Sequence, residues 1–197
     1  MKQLITLGRQ FGSGGREVGL RLAKRLDIPF YDKELISEAA ASGGFSADFL
    51  TQMEEKAPEL PGMMMRPSLF GVYQQPMSDQ IYLEQCRVIR ELAGQGPCVI
   101  VGRCADYVLE KMAPVNLFIY ADLADRVARK QALGLDIPPE KMEKHVLSMD
   151  KQRSKYYQYY AGRAWGNMKD FHLCVNTSRV GIEGAVDTIV TFLERCH

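Results

Sequence analysis

LITLGRQFGSGGREVGLRLAKRL, residues 4–26, decides how the rest of the chain is read. Leu4-Ile5-Thr6-Leu7 is a β-rich run closed by Gly8. A glycine turn follows at Gly12-Ser13-Gly14-Gly15, and apolar residues then recur at Val18, Leu20, Leu22, Ala23 and Leu26 with a helical period. Strand, glycine loop and helix N-terminus together make an anion site. The helix offers unpaired N–H groups and the positive end of its dipole, and glycines let the backbone wrap a phosphate without Cβ clashes. Phosphate binding is therefore expected at Gly12, Ser13, Gly14, Gly15, Arg16 and Glu17.

The loop departs from the phosphate-binding pattern GxxxxGK[ST]. With Gly14 as the last loop glycine, Gly15 stands at the lysine position and Arg16 follows. Glu17 falls near the place of the magnesium-binding hydroxyl and suits helix capping better than metal contact. Arg16 is the expected substitute for the lysine, because guanidinium pairs with phosphate bidentately. Two other readings stand beside this one. The glycines form a plain turn between strand and helix, or they form a dinucleotide loop. Gly12-x-Gly14 is present and Asp32 closes a second strand where a ribose-binding acid would stand, but Glu17 occupies the third glycine position of GxGxxG.

Outward from this stretch, strands alternate with helices. Pro29-Phe30-Tyr31 is a minimal second strand, and Asp32 caps a helix carrying Leu35, Ile36 and Ala39. Residues 46–56 are predicted helical. Residues 58–78 hold four prolines, two glycines and four methionines, and read as a long mobile surface loop. A helix is predicted from Ser78 to about Ala93, strands over 97–101 and 115–120, helices over 123–133 and 139–160, a last strand over 171–175 and a closing helix over 182–195. The unalternated apolar strands belong to a parallel sheet covered on both faces.

Composition bounds the function classes. The 197 residues, 46% hydrophobic and 25% charged, suit one domain with a buried core. A formal net charge of +1 gives no general drive toward nucleic acid or an acidic membrane. No apolar run approaches the ~20 residues of a membrane span, and the N-terminus lacks a secretory core, so a cytoplasmic location is expected. Cys86, Cys98, Cys104, Cys174 and Cys196 are odd in number and widely spaced, without a CxxC pair, which argues against a zinc site or disulfide framework. Cys98 and Cys174 sit in apolar runs and are expected to be buried.

Ligands collect at the carboxyl ends of parallel strands. Gly102-Arg103 lies at such an end. Arg126 and Arg129 share a helix face, and Asp150 and Arg153 repeat the spacing on a later helix. Tyr156, Tyr157, Tyr159 and Tyr160 follow; they suit stacking on a base or packing, and two of them are expected to pack, with the others open.

These residues resemble the cytidylate kinase-like family of the P-loop nucleoside monophosphate kinases. The resemblance is carried by residues 4–36, by CVIVGRCADYVLEKMAPVNLFIYADLADRVAR at 98–129, by DKQRSKYYQYYAGRAWGN at 150–167 and by HLCVNTSRVGIEGAVDTIV at 172–190. It implies a single P-loop kinase-like α/β domain. Three α/β/α layers enclose a five-stranded parallel sheet in the order 2-3-1-4-5, with a helical lid over about 134–168. It further implies ATP and Mg2+ as cofactors and a small-molecule acceptor, with a (deoxy)cytidylate-like monophosphate foremost. The glycine loop would hold the ATP phosphates, and Arg103 the acceptor phosphate. Asp150 and Arg153 would take the acceptor's sugar and phosphate. Arg126 would meet the transferring group together with Arg16 and Arg153. Asp32 is placed with the acceptor, and Asp32 or Asp122 would hold magnesium through water. Where relatives carry a Tyr-Arg pair that grips the acceptor, this chain has Ser37-Glu38. That departure and the missing lysine motivate an alternative, a non-catalytic nucleotide-binding module with a degenerate loop.

Overall fold

The computed structural model describes residues 3–41 and 77–196. Its sheet is parallel throughout, with strands β1 (Ile5–Arg9), β2 (Phe30–Tyr31), β3 (Val99–Val101), β4 (Val115–Tyr120) and β5 (Leu173–Asn176). They lie in the order β2-β3-β1-β4-β5, as the resemblance implies. β1 is central, pairing Ile5 with Val99 on one side and with Val115 on the other.

Seven helices of the described residues cover the two faces: α1 (Gly15–Leu26), α2 (Lys33–Ala41), α3 (Met77–Gly94), α4 (Ala105–Val108), α5 (Leu123–Ala132), α6 (Pro139–Ala161) and α7 (Thr177–Arg195). Successive strand residues face opposite sides, so β3 feeds two cores. Val99 and Val101 join Ile5, Leu7, Leu117 and Ile119 under Val18 and Leu22 of α1 and Ile189 of α7. Ile100 joins Ile36, Ile81 and Ile89 beneath α2 and α3. This is the three-layer arrangement expected from apolar strands without alternation.

The predicted elements hold with shifted ends. The closing helix starts at Thr177 rather than 182, because Asn176 accepts a hydrogen bond from Ser178 N and caps an added turn; Gly181, at φ 70°, interrupts the helix there. Cys98 is buried, whereas Cys174 is half-buried, since β5 is an edge strand. The predicted helix over 46–56 and most of the loop over 58–78 lie outside the described residues; Met77 and Ser78 already belong to α3. No helix of the described residues is long and apolar enough to cross a membrane.

Candidate functional site

At the carboxyl end of β1 the chain leaves the sheet and has no ladder to satisfy its carbonyls. Side chains take over that task one residue at a time. Arg153 donates to Arg9 O at 3.2 Å, Ser13 Oγ to Gln10 O at 2.9 Å and Arg126 to Phe11 O at 3.3 Å. Arg129 donates to Gly12 O at 2.6 Å and Thr177 to Ser13 O at 2.7 Å. Gly14 O then accepts the first helical bond, from Val18 N. Four of these five carbonyls are held from α5, α6 and α7 and Gln10 O by the loop's own Ser13, while Phe11 N is given to Asp150 and Ser13 N to Gln10 O. Gly15, Arg16 and Glu17 open α1, so their N–H groups have no intrahelical acceptor.

Two glycines are needed for shape. Gly12 and Gly14 have φ of 80° and 79°, a region that side chains disfavour. A Cβ on Gly12 would also lie 2.8 Å from Arg126 O.

Asp150 locks this loop from α6. One carboxylate oxygen accepts from Phe11 N at 2.7 Å, and the other pairs with Arg126. Both partners are nearly buried, at 6% and 13% exposure. The Arg126 and Asp150 side chains therefore stand behind the loop, outside the linings of both clefts described next.

A first cleft lies before the loop, lined by Gly12, Gly15, Arg16, Asp32 and Lys130 among others. Arg16 is 63% exposed and turns to Asp32, donating through Nε at 2.8 Å and Nη2 at 2.7 Å. Asp32 is buried and also accepts from Leu35 N, which caps α2. Asp122 lies elsewhere, accepting from Asn176 at 3.2 Å beside the start of α7. Glu17 pairs with Arg21 on the surface of α1.

A second cleft opens at the end of β3. Its walls are aromatic, from Tyr156, Tyr157, Trp165 and Phe171, and its polar groups include Arg103, Asp106 and Gln152. The entry to it is a strained turn in which Gly102, Arg103 and Cys104 all have positive φ, at 81°, 57° and 52°. The Arg103 guanidinium stands 5.7 Å from the centre of the Tyr156 ring. Asp106 accepts from Tyr157 Oη at 2.5 Å. Burial pushes the Asp106 carboxyl above the usual aspartate range, against the pull of that hydrogen bond. Of the clustered tyrosines, Tyr160 stacks on Tyr82 with centroids 3.8 Å apart, while Tyr156 and Tyr157 reach the cleft wall. Ser37 is buried beside Gln85.

Arg9, Lys33 and Arg153 line both clefts, so three cations stand where the two spaces meet. The sequence profile of the cytidylate kinase-like family matches residues 4–179. The chain belongs to that family. Within and around this cytidylate kinase-like group, a cytidylate kinase of Ignicoccus hospitalis is 26% identical over 186 residues, covering 92% of this chain and 94% of that one. The crystal structure of an uncharacterized protein from Eubacterium ventriosum superposes with a TM-score of 0.74 at 25% identity, covering 98% and 99% of the two chains. Shikimate kinase from Bacteroides thetaiotaomicron shares the fold, with a TM-score of 0.60 at 14% identity over 98% of each chain. The described residues thus carry the family's P-loop kinase fold.

Arg9, Lys33, Asp106, Trp165 and Phe171 were not singled out in the sequence, whereas the wall residues Tyr156 and Tyr157 were. Arg9 had a usable signal. Gly8-Arg9 closes β1 as Gly102-Arg103 follows β3, and a charge placed after a glycine at a strand end reaches the ligand edge in both cases.

Proposed function

We propose that the protein transfers the γ-phosphoryl group of ATP to a small acceptor, foremost a (deoxy)cytidylate-like nucleoside monophosphate. The observation that carries this reading is the meeting of the two clefts across Arg9, Lys33 and Arg153. Phosphoryl transfer needs little covalent help from a protein. It needs donor and acceptor in line and the charge between them neutralised.

In this reading, N–H groups of Gly12 and of Gly14 to Glu17 hold the donor phosphates, Ser13 N being turned to Gln10 O. Arg103 and Arg153 hold the acceptor phosphate, one oxygen of which attacks the γ-phosphorus. The bond from that phosphorus to the β–γ bridging oxygen breaks, and ADP leaves with the electron pair. A phosphate acceptor is already ionised, so no general base is required. Asp106 is the carboxylate available to the acceptor's hydroxyl or amino groups. Asp150 and Arg126 act one layer back by fixing the loop.

Magnesium fits the residues present. No group of three or more His, Cys, Asp or Glu side chains among the described residues forms a protein cage, and Mg2+ commonly binds through substrate phosphates, waters and one or two carboxylates. Asp32 is the buried carboxylate lining the donor-side cleft. The ion would neutralise charge on the donor phosphates there. A cytoplasmic location follows from the same reading, as the place where ATP and monophosphates meet.

The second reading, a binding module without turnover, is favoured by one observation: Gly15 in the lysine position. ADP formation from ATP and magnesium, measured with a panel of nucleoside monophosphates, separates the two. Turnover with CMP or dCMP above the no-acceptor background is expected. ATP binding with no turnover on any acceptor would replace the kinase by the binding module.

A further inference from the structure

The charge missing from position 15 is not missing from the site. Gly15 has ordinary helical backbone and is absent from the positive-φ residues, so its conformation does not demand glycine. Space does. A Cβ on Gly15 would lie 2.5 Å from Arg9 Cβ and 3.1 Å from Arg9 Cγ, with Ile119 Cβ at 3.3 Å. The stem of Arg9 thus runs through the volume that a lysine at position 15 would need. Its guanidinium ends over Gly102, where any Cβ would overlap Nη1 and lie 2.7 Å from Cζ. Arg9 therefore crosses from the N-terminus of α1 to the end of β3, along the boundary between the two clefts.

We propose that Arg9 replaces the loop lysine, delivering its positive charge to the β- and γ-phosphates from the end of β1, and that Gly15 is glycine to let it pass. The inference rests on the kinase reading and adds to it the residue that neutralises the bridging oxygen as charge develops there. It also separates the two nearby arginines. Arg16 spends its Nε and Nη2 on Asp32, whereas Arg9 lies between donor and acceptor. A guanidinium is the better group for this longer path, since its planar fork keeps its geometry at the end of a flexible stem.

The test exchanges the two positions. ATP affinity is measured by calorimetry in wild type, Arg9→Gly, Arg9→Gly/Gly15→Lys and Arg9→Gly/Gly15→Met, with unliganded melting curves to show that each folds. Arg9→Gly is expected to weaken ATP by about tenfold or more, the worth of a charge-assisted hydrogen bond to phosphate. The lysine double variant is expected to regain most of that loss. The methionine double variant refills the volume without charge and is expected to stay weak. Unchanged ATP affinity in Arg9→Gly overturns the proposal, and so does equal recovery by methionine and lysine, which would make Arg9 a packing residue. If Arg9→Gly does not fold, Arg9→Met keeps the stem and must show the same loss. Loss in Arg16→Met without loss in the Arg9 variants would return the role to Arg16. A wild type that binds ATP and turns over while the Arg9 variants match it sinks this inference alone. A wild type that binds no ATP sinks the kinase reading and the inference with it.

Discussion

The glycine loop and the turn after β3 both end a parallel strand beside a ligand cleft, yet they are held by different forces. The loop puts its positive φ on Gly12 and Gly14 and has five consecutive carbonyls bonded by side chains, three of them arginines from α5 and α6. The β3 turn puts positive φ on Arg103 and Cys104 as well as Gly102, and holds them with backbone bonds. Gly102 N donates to Leu7 O at 3.1 Å, and Val108 N to Cys104 O at 2.9 Å, while the Cys104 side chain is buried. The side proposed for the donor is thus shaped by charge reaching in from distant elements. The side proposed for the acceptor is shaped by local backbone and packing. A loop that must present N–H groups to several phosphate charges needs its carbonyls pulled away; a turn that must present one arginine needs only to be rigid.

The sharpest way to break this contrast is Arg126→Met. It removes a nearly buried cation from Asp150 and from Phe11 O at once. Leaving one member of a buried pair uncompensated costs about 3–5 kcal/mol, so urea unfolding is expected to show a loss of that order, with weakened ATP binding in whatever remains folded. A loss below about 1 kcal/mol, the range of surface pairs, would mean that the arginines decorate the loop rather than hold it.

Arg103→Met tests the other side. Its guanidinium lies in the acceptor cleft over Tyr156 and does not line the donor-side cleft. The acceptor KM is expected to rise about tenfold, as for one lost charge-assisted bond, with the KM for ATP nearly unchanged. An equal rise in both would dissolve the division between the clefts.

How much of this was legible follows from which interactions are local. The strands, their parallel sheet and its covering on both faces rest on apolar runs such as Val99-Ile100-Val101 and on the period of α1, both written in consecutive residues; the strand order came only through the family resemblance. The glycine loop was legible for the same reason. The shared face of Arg126 and Arg129 was legible as spacing, but its destination, the carbonyls of Phe11 and Gly12, lies more than a hundred residues away in sequence. Asp150 reads as a ligand-facing acid beside Arg153; in the fold its two oxygens face Phe11 N and Arg126. Asp106 carried no pattern at all, because its partner Tyr157 comes from another helix. Arg9 was legible in part: the Gly8-Arg9 pair stands in plain view at the end of β1, although only the fold shows why Gly15 is small.

Within the acceptor side, Tyr157→Phe measures how far packing alone suffices. The ring stays, and the hydrogen bond to Asp106 goes. A buried bond to a charged partner is worth about 1.5–3 kcal/mol, so the melting temperature is expected to fall, by less than in Arg126→Met. No fall would show that the aromatic packing of the Tyr157 ring is enough.

The smallest expected effect has the opposite sign. Burial raises the Asp106 carboxyl above its ordinary range in the folded chain. Between the unfolded and folded values the folded state then holds more protons than the unfolded one, so stability falls as pH rises through that window. Above it the cost is constant, and below the ordinary aspartate range it is absent. Asp106→Asn keeps an oxygen for the Tyr157 hydroxyl and has no proton to lose. The variant is therefore expected to be modestly more stable than wild type near about pH 7, with the advantage closing toward about pH 3, where wild-type Asp106 is protonated. Urea midpoints across that range check it. A difference that is flat with pH, or that favours wild type at neutral pH, would mean that the Asp106 charge is compensated in the cleft, and that charge as well as packing shapes the acceptor side.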